Sequence, residues 1–124
     1  MRISVLAGLA AAVVMTASPS FAAGNAVNGK VVFGRCAICH TVNKGGSNGL
    51  GPNLFGVVGR KAATLAGYSY SGPLKGSGIT WTTDKLKAWV SGPQRMVPGT
   101  KMAFAGISNP SQQDDVVAYL ATLK

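Results

Sequence analysis

Cys36-Ala37-Ile38-Cys39-His40 decides how this chain is read, because its spacing is C-x-x-C-H, the attachment site of a c-type haem. Two thiols three positions apart can each add to a vinyl group on one porphyrin edge, and the imidazole that follows reaches the iron. A disulfide, a thioredoxin-like redox pair or half of a zinc site would use the same residue types. A redox pair opens a helix after an apolar strand in an alternating β and α pattern, and no such pattern surrounds Cys36. A zinc site needs further ligands, whereas Cys36, Cys39 and His40 are the only Cys and His in the chain. One covalently attached haem c per chain is the expectation.

Upstream, a cationic Arg2 precedes an apolar run from Ile3 to Ala17, and Ser20 and Ala22 put small residues on either side of Phe21. That is the pattern of a secretory signal peptide cut after Ala22. The alternative, an N-terminal membrane anchor, is disfavoured because the run falls short of the roughly 18 residues of a spanning helix. Residues 1–22 are therefore expected to be removed, leaving residues 23–124 as a single exported domain with no stable membrane anchor. Haem attachment needs reduced thiols and an assembly apparatus, which in bacteria lie outside the inner membrane, so the periplasm is the expected location.

The cut removes Arg2 and Gly8, leaving 102 residues with 16 glycines, 11 Lys and Arg, and three aspartates. A chain so short and glycine-rich builds only a modest core by itself. A buried haem changes that, because its apolar faces can form the centre around which loops wrap. No repeat or linker marks a second domain.

Three helices are legible. The first runs from about Ala26 to Cys36, with Val27, Val31 and either Val32 or Phe33 as its apolar stripe. The second follows Thr82 and Thr83, carries Asp84 in its first turn, and sets Leu86, Trp89 and Val90 on one face before Gly92 and Pro93. The third begins with Asn109 as cap and Pro110 in the first turn. Asp114 and Asp115 are expected near its positive end, and Val116, Tyr119, Leu120 and Leu123 on its buried side. Gly45 to Gly59 and Tyr68 to Gly78 read as loops. The predicted fold is all-α, three main helices plus loops wrapped around one haem.

The iron needs an axial group on each face. His40 is the only histidine, and the remaining strong donors are the thioethers of Met96 and Met102. Met102 ends the turn-rich segment Pro98-Gly99-Thr100-Lys101, which can hold a sulfur at fixed height. Met96 follows polar Gln94 and Arg95 and reads as packing or surface.

These features, taken together, resemble a class I cytochrome c close to the mitochondrial and bacterial c2-type proteins. Besides Cys36 to His40, the resemblance rests on Gly29 and Phe33; Gly51, Pro52, Asn53 and Leu54; Gly59 and Arg60; Gly78, Ile79, Thr80 and Trp81; Pro98 to Met102; and Ala118, Tyr119 and Leu120. It spans nearly all of residues 23–124. It implies that His40 and Met102 are the axial ligands and that the Pro52 carbonyl accepts from the His40 ring. It also implies that Tyr70 and Trp81 donate to a buried haem propionate near Arg60, that Thr100 fixes the ligand loop, and that Gly29 lets the first helix cross the last against Tyr119. Two residues depart from the pattern. Trp89 stands where relatives commonly carry a tyrosine beside the ligand sulfur, and Leu74 where they often carry an asparagine. Both make the pocket drier, and the indole N–H of Trp89 is a candidate replacement donor.

The net charge of the mature chain is +8 before the propionates are counted. The basic residues are scattered and lack interleaved aromatics, which excludes a nucleic-acid surface. The resemblance implies instead a positive rim at the exposed haem edge that steers acidic redox partners. Arg35 and Lys101 match rim positions and Arg95 adds to them, while Gln94 and Ser108 are uncharged where relatives carry lysine. The expected function is a soluble, monomeric periplasmic carrier of single electrons, not an enzyme. Its expected donor is a bc1-type complex or a dehydrogenase, and its acceptor an oxidase, a reductase or a reaction centre. Two rivals are a dedicated cytochrome subunit of a dehydrogenase, docked through Val97, Phe104 and Ile107, and a haem sensor with a labile Met102.

Overall fold

Asn25 opens the first helix by accepting from the backbone N–H groups of Val27 and Asn28 through its side-chain oxygen. The computed structural model describes residues 24–124 together with Gly8, Ala10, Ala11 and Ala12. The expected signal peptide otherwise lies outside the described residues. Helix α1, Ala26–Val32, runs into a 3-10 turn at Phe33–Arg35 and so reaches the Cys36 turn.

The rotation of α1 differs from the expected one. Gly29, Val32 and Phe33 are buried, while Val27 and Val31 are 78% and 79% exposed. The reason is the crossing with the last helix. A Cβ on Gly29 would overlap the Asp115 carbonyl oxygen and stand 2.9 Å from the Cβ of Tyr119. The backbone of α1 therefore lies directly on its neighbour, and the glycine face turns inward whatever the valines would prefer. Phe33 and Tyr119 complete the contact, with ring centroids 5.2 Å apart.

A short helix, α2 (Gly72–Lys75), forms within the stretch expected to be loop. Ser71 caps it and Pro73 sits in its first turn, which is enough for one helical turn that buries Leu74. Helix α3, Thr83–Ser91, is capped by Thr82 and buries Leu86, Trp89 and Val90 as expected. Gly92 caps the end of α3 as expected, and a separate short helix, α4, Pro93–Met96, starts at once.

Helix α5, Pro110–Ala121, takes Asn109 as its cap and buries Gln113, Val116, Val117 and Leu120. Asp114 and Asp115 lie beyond its first turn, so the expected dipole role gives way to specific partners. Asp115 accepts from the N–H of Asn25 at 2.8 Å, and Asp114 pairs with Lys87 of α3 at 2.8 Å. These contacts tie both ends of the fold together.

The architecture is all-α. Among the described residues the only sheet-like pairing is one antiparallel bridge, Lys61 to Thr80. Its neighbours extend it, with Trp81 N–H donating to Arg60 at 2.9 Å and Ala62 N–H to Ile79 at 2.8 Å. That pairing sets Arg60 and Trp81 side by side. Core residues from the 3-10 turn, α3 and α5, such as Phe33, Leu86, Val116 and Leu120, face a common interior cavity, so core and site are one structure.

Candidate functional site

The motif is wound by its own backbone. Cys36 N–H donates to Phe33 at 2.7 Å, Cys39 N–H to Cys36 at 3.0 Å, and His40 N–H to Cys36 at 2.9 Å. This near-helical path brings two residues three apart to one side of the chain. Both cysteines are free and half-buried. Burial pushes the Cys36 thiol above its usual range, against the pull of the adjacent Arg35 guanidinium, and so keeps it protonated at neutral pH.

His40 is oriented by two neighbours. Its Nδ1 lies 2.7 Å from the Pro52 carbonyl oxygen, which can only accept, so Nδ1 carries the proton and Nε2 the lone pair. Burial lowers the imidazole pKa, the carbonyl contact opposing it, and the ring is neutral near pH 7. Gly51 packs under the ring. A Cβ there would stand 2.5 Å from Cε1 and 2.8 Å from Nδ1 of His40, so only glycine fits.

These groups wall a cavity of about 650 Å³. Cys36, Cys39, His40, Pro52, Arg60, Tyr70, Trp81, Trp89, Thr100, Lys101 and Met102 all line it, and so does Arg35 at its edge. Met96 and Arg95 do not. Met96 packs against the core from α4, and the Arg95 guanidinium turns to the Ser91 hydroxyl at 3.1 Å. Trp81 and Trp89 meet edge to face with centroids 5.1 Å apart, both buried. Leu74 keeps this wall apolar. Arg60 donates to the Asn53 and Phe55 carbonyls at 3.2 and 3.4 Å, which points its charge along the wall. Burial raises the Tyr70 pKa, opposed by a hydrogen bond from the Leu65 backbone and by Arg60.

The segment carrying Met102 is held by Gln94, which in the sequence reads only as an uncharged rim position. Gln94 donates through Nε2 to the Thr100 carbonyl and accepts from Gly99 N–H at 3.3 Å. An uncharged rim position thus clamps the loop. Gly99 has φ +87, a left-handed conformation that suits glycine, and Thr100 is buried. Lys101 donates to the Ser69 carbonyl and lies 4.6 Å over the Tyr68 ring. Val97 and Ile107 are buried, 6% and 1% exposed, so the apolar docking patch expected there is core.

Two thiols, one imidazole lone pair and one thioether converge on a single apolar cavity, and this donor set fits a covalently held haem. An all-α wrap around such a cavity defines a small c-type haem protein. The cytochrome c family model matches residues 26–124, and the chain belongs to the cytochrome c family. It is 50% identical to cytochrome c2 of Rhodoplanes tepidamans over 93 residues, covering 75% of this chain and 87% of that one. It is 44% identical to cytochrome c2 of Rhodomicrobium vannielii over 117 residues, covering 94% and 93%. The structure of cytochrome cH from Methylobacterium extorquens superposes with a TM-score of 0.75 at 49% identity, covering 80% of this chain and 99% of that one. The protein is an electron-transfer cytochrome carrying covalent haem c, and not an enzyme.

Proposed function

We propose that the chain is a periplasmic one-electron carrier whose iron is held by His40 and Met102. The observation that carries this is the pairing of a neutral, oriented His40 with Met102, the one methionine among the described residues that line the cavity. When bound, the haem supplies a ferric–ferrous couple that passes one electron at a time. Cys36 and Cys39 anchor it through thioether bonds. His40 and Met102 would ligate the iron and leave no open position for a substrate, and the thioether donor would favour the ferrous form. Pro52 fixes the imidazole. Tyr70, Trp81 and Arg60 line the wall suited to a propionate, and Trp89 and Leu74 exclude water beside the ligand loop.

Arg35 and Lys101 at the cavity edge steer acidic redox partners, an effect that salt weakens. Arg95 stands further off and contributes to the long-range field only. A bc1-type complex or dehydrogenase is the proposed donor class, and an oxidase, reductase or reaction centre the acceptor class. The leader-like residues 1–22 support export and cleavage. Among the described residues no helix is long and apolar enough to cross a membrane.

Carbon monoxide tests the reading. Added to the ferrous protein at neutral pH, it leaves the spectrum unchanged in the parent and binds in Met102→Ala. Ready binding by the parent overturns axial closure and with it the carrier reading.

A further inference from the structure

Pro52 and Asn53 share one peptide unit, and both of its polar groups are committed. The Pro52 carbonyl accepts from Nδ1 of His40 at 2.7 Å, and the Asn53 N–H donates to Oδ1 of Asn48 at 2.8 Å. In a trans peptide the two groups point in opposite directions, so imidazole, peptide and side-chain amide form one file. Each bond in such a file polarises the next, because an acceptor on the N–H shifts electron density toward the carbonyl oxygen. Asn48 therefore acts on His40 without touching it.

The loop closes without Asn48. Gly51 N–H donates to the Cys39 carbonyl at 2.8 Å, Gly49 N–H to the Gly51 carbonyl at 3.0 Å, and Leu54 N–H to the Thr41 carbonyl at 2.8 Å. The Asn53 side chain ties the same segments, donating to the Thr41 hydroxyl at 2.9 Å and the Asn43 carbonyl at 3.0 Å while accepting from Phe55 N–H at 2.8 Å. What Asn48 adds is an acceptor for the N–H of a residue that is only 5% exposed. Its own amide is seated between loops: a Cβ on Gly67 would stand 4.0 Å from Nδ2, an ordinary contact distance.

We propose that Asn48 is a positioning residue that raises the donor strength of His40 through the Pro52–Asn53 peptide, and so shifts the balance between ferric and ferrous iron. This rests on the reading of His40 as an axial ligand. A more negative Pro52 oxygen draws on the Nδ1 proton, and the Nε2 lone pair becomes a stronger donor, which favours the ferric form. Asn48 thus works against the thioether of Met102, which favours the ferrous form.

The test is a redox titration of the holoprotein at neutral pH and high salt, where the charge of a half-buried side chain acts little at long range. Asn48→Leu keeps the size of the side chain and removes the acceptor. Its equilibrium with a reference couple should move about threefold toward the ferrous form, which is about 30 mV for one electron. Asn48→Asp sets a full negative charge on the same N–H and should move it about threefold the other way. Thr41→Val removes a bond of the same loop that bypasses the peptide, so it should lose stability and keep the parental potential. The Nδ1 proton resonance of His40 in the ferrous protein should shift upfield in Asn48→Leu and downfield in Asn48→Asp. A parental potential in Asn48→Leu overturns the proposal. So does a shift of the same sign in both Asn48 variants, or an equal shift in Thr41→Val, because loop shape and not the peptide then governs the iron. If Asn48→Leu does not fold, the sign of the Asn48→Asp shift decides alone. A high-spin ferric parent overturns the axial reading of His40 and Met102, and the proposal with it.

Discussion

The Nδ1 of His40 donates to the carbonyl of Pro52 across 2.7 Å, so twelve positions beyond the cavity motif one backbone oxygen decides which ring nitrogen can bind a metal. Gly51 makes this contact possible by leaving room for the ring. The orientation of the imidazole is thus built from a glycine and a carbonyl.

Gly51→Ala tests that arrangement. The added methyl must push the imidazole or the loop aside, a form of overpacking that costs roughly 1–3 kcal/mol. Urea unfolding of the holoprotein is expected to show this loss together with weakened low-spin bands in the visible spectrum. Parental stability and spectrum would mean that the ring is not held from below.

Gln94→Ala removes both side-chain bonds to Gly99 and Thr100. At about 1 kcal/mol for the pair net of solvation, the displaced loop becomes several-fold more populated. Imidazole added to the ferric variant should therefore bind about fivefold more tightly than to the parent, with stability otherwise little changed.

Trp89→Ala opens a hole beside Trp81 in the cavity wall. Truncation of a buried aromatic costs about 3–5 kcal/mol. Thermal unfolding of the holoprotein measures it, and Trp89→Phe should recover more than half of the loss.

Tyr70 supplies a pH signature. Burial raises its folded pKa above the ordinary value near 10, so the neutral phenol is favoured in the fold. The unfolded chain then releases its proton first, and stability falls as pH rises from about 10 toward the raised value. Urea midpoints above pH 10 should decline more steeply in the parent than in Tyr70→Phe. Equal slopes would place the phenol in solvent.

Much of this fold was legible in the chain because its strongest signals are local. Thr82, Asn109 and Pro110 mark helix starts through bonds within one turn, and C-x-x-C-H carries its chemistry in five residues. The rotation of α1 was not legible. Val27 and Val31 have helical spacing, yet burial is set by the backbone contact of Gly29 with α5, which no apolar pattern encodes. Asp114 and Asp115 misled for a related reason, since their partners Lys87 and Asn25 are distant in sequence. Gln94 carries only a missing charge in the sequence, and the folded loop shows it as a clamp. Arg95, one position on, turns away from the cavity toward Ser91.

Visible absorption of both redox states at neutral pH tests the central claim most directly. A closed His40 and Met102 pair predicts low-spin spectra in both states, with a weak far-red sulfur-to-iron band in the ferric protein that vanishes in Met102→Ala and persists in Met96→Leu. A high-spin parent spectrum, or a far-red band that survives Met102→Ala, would contradict it.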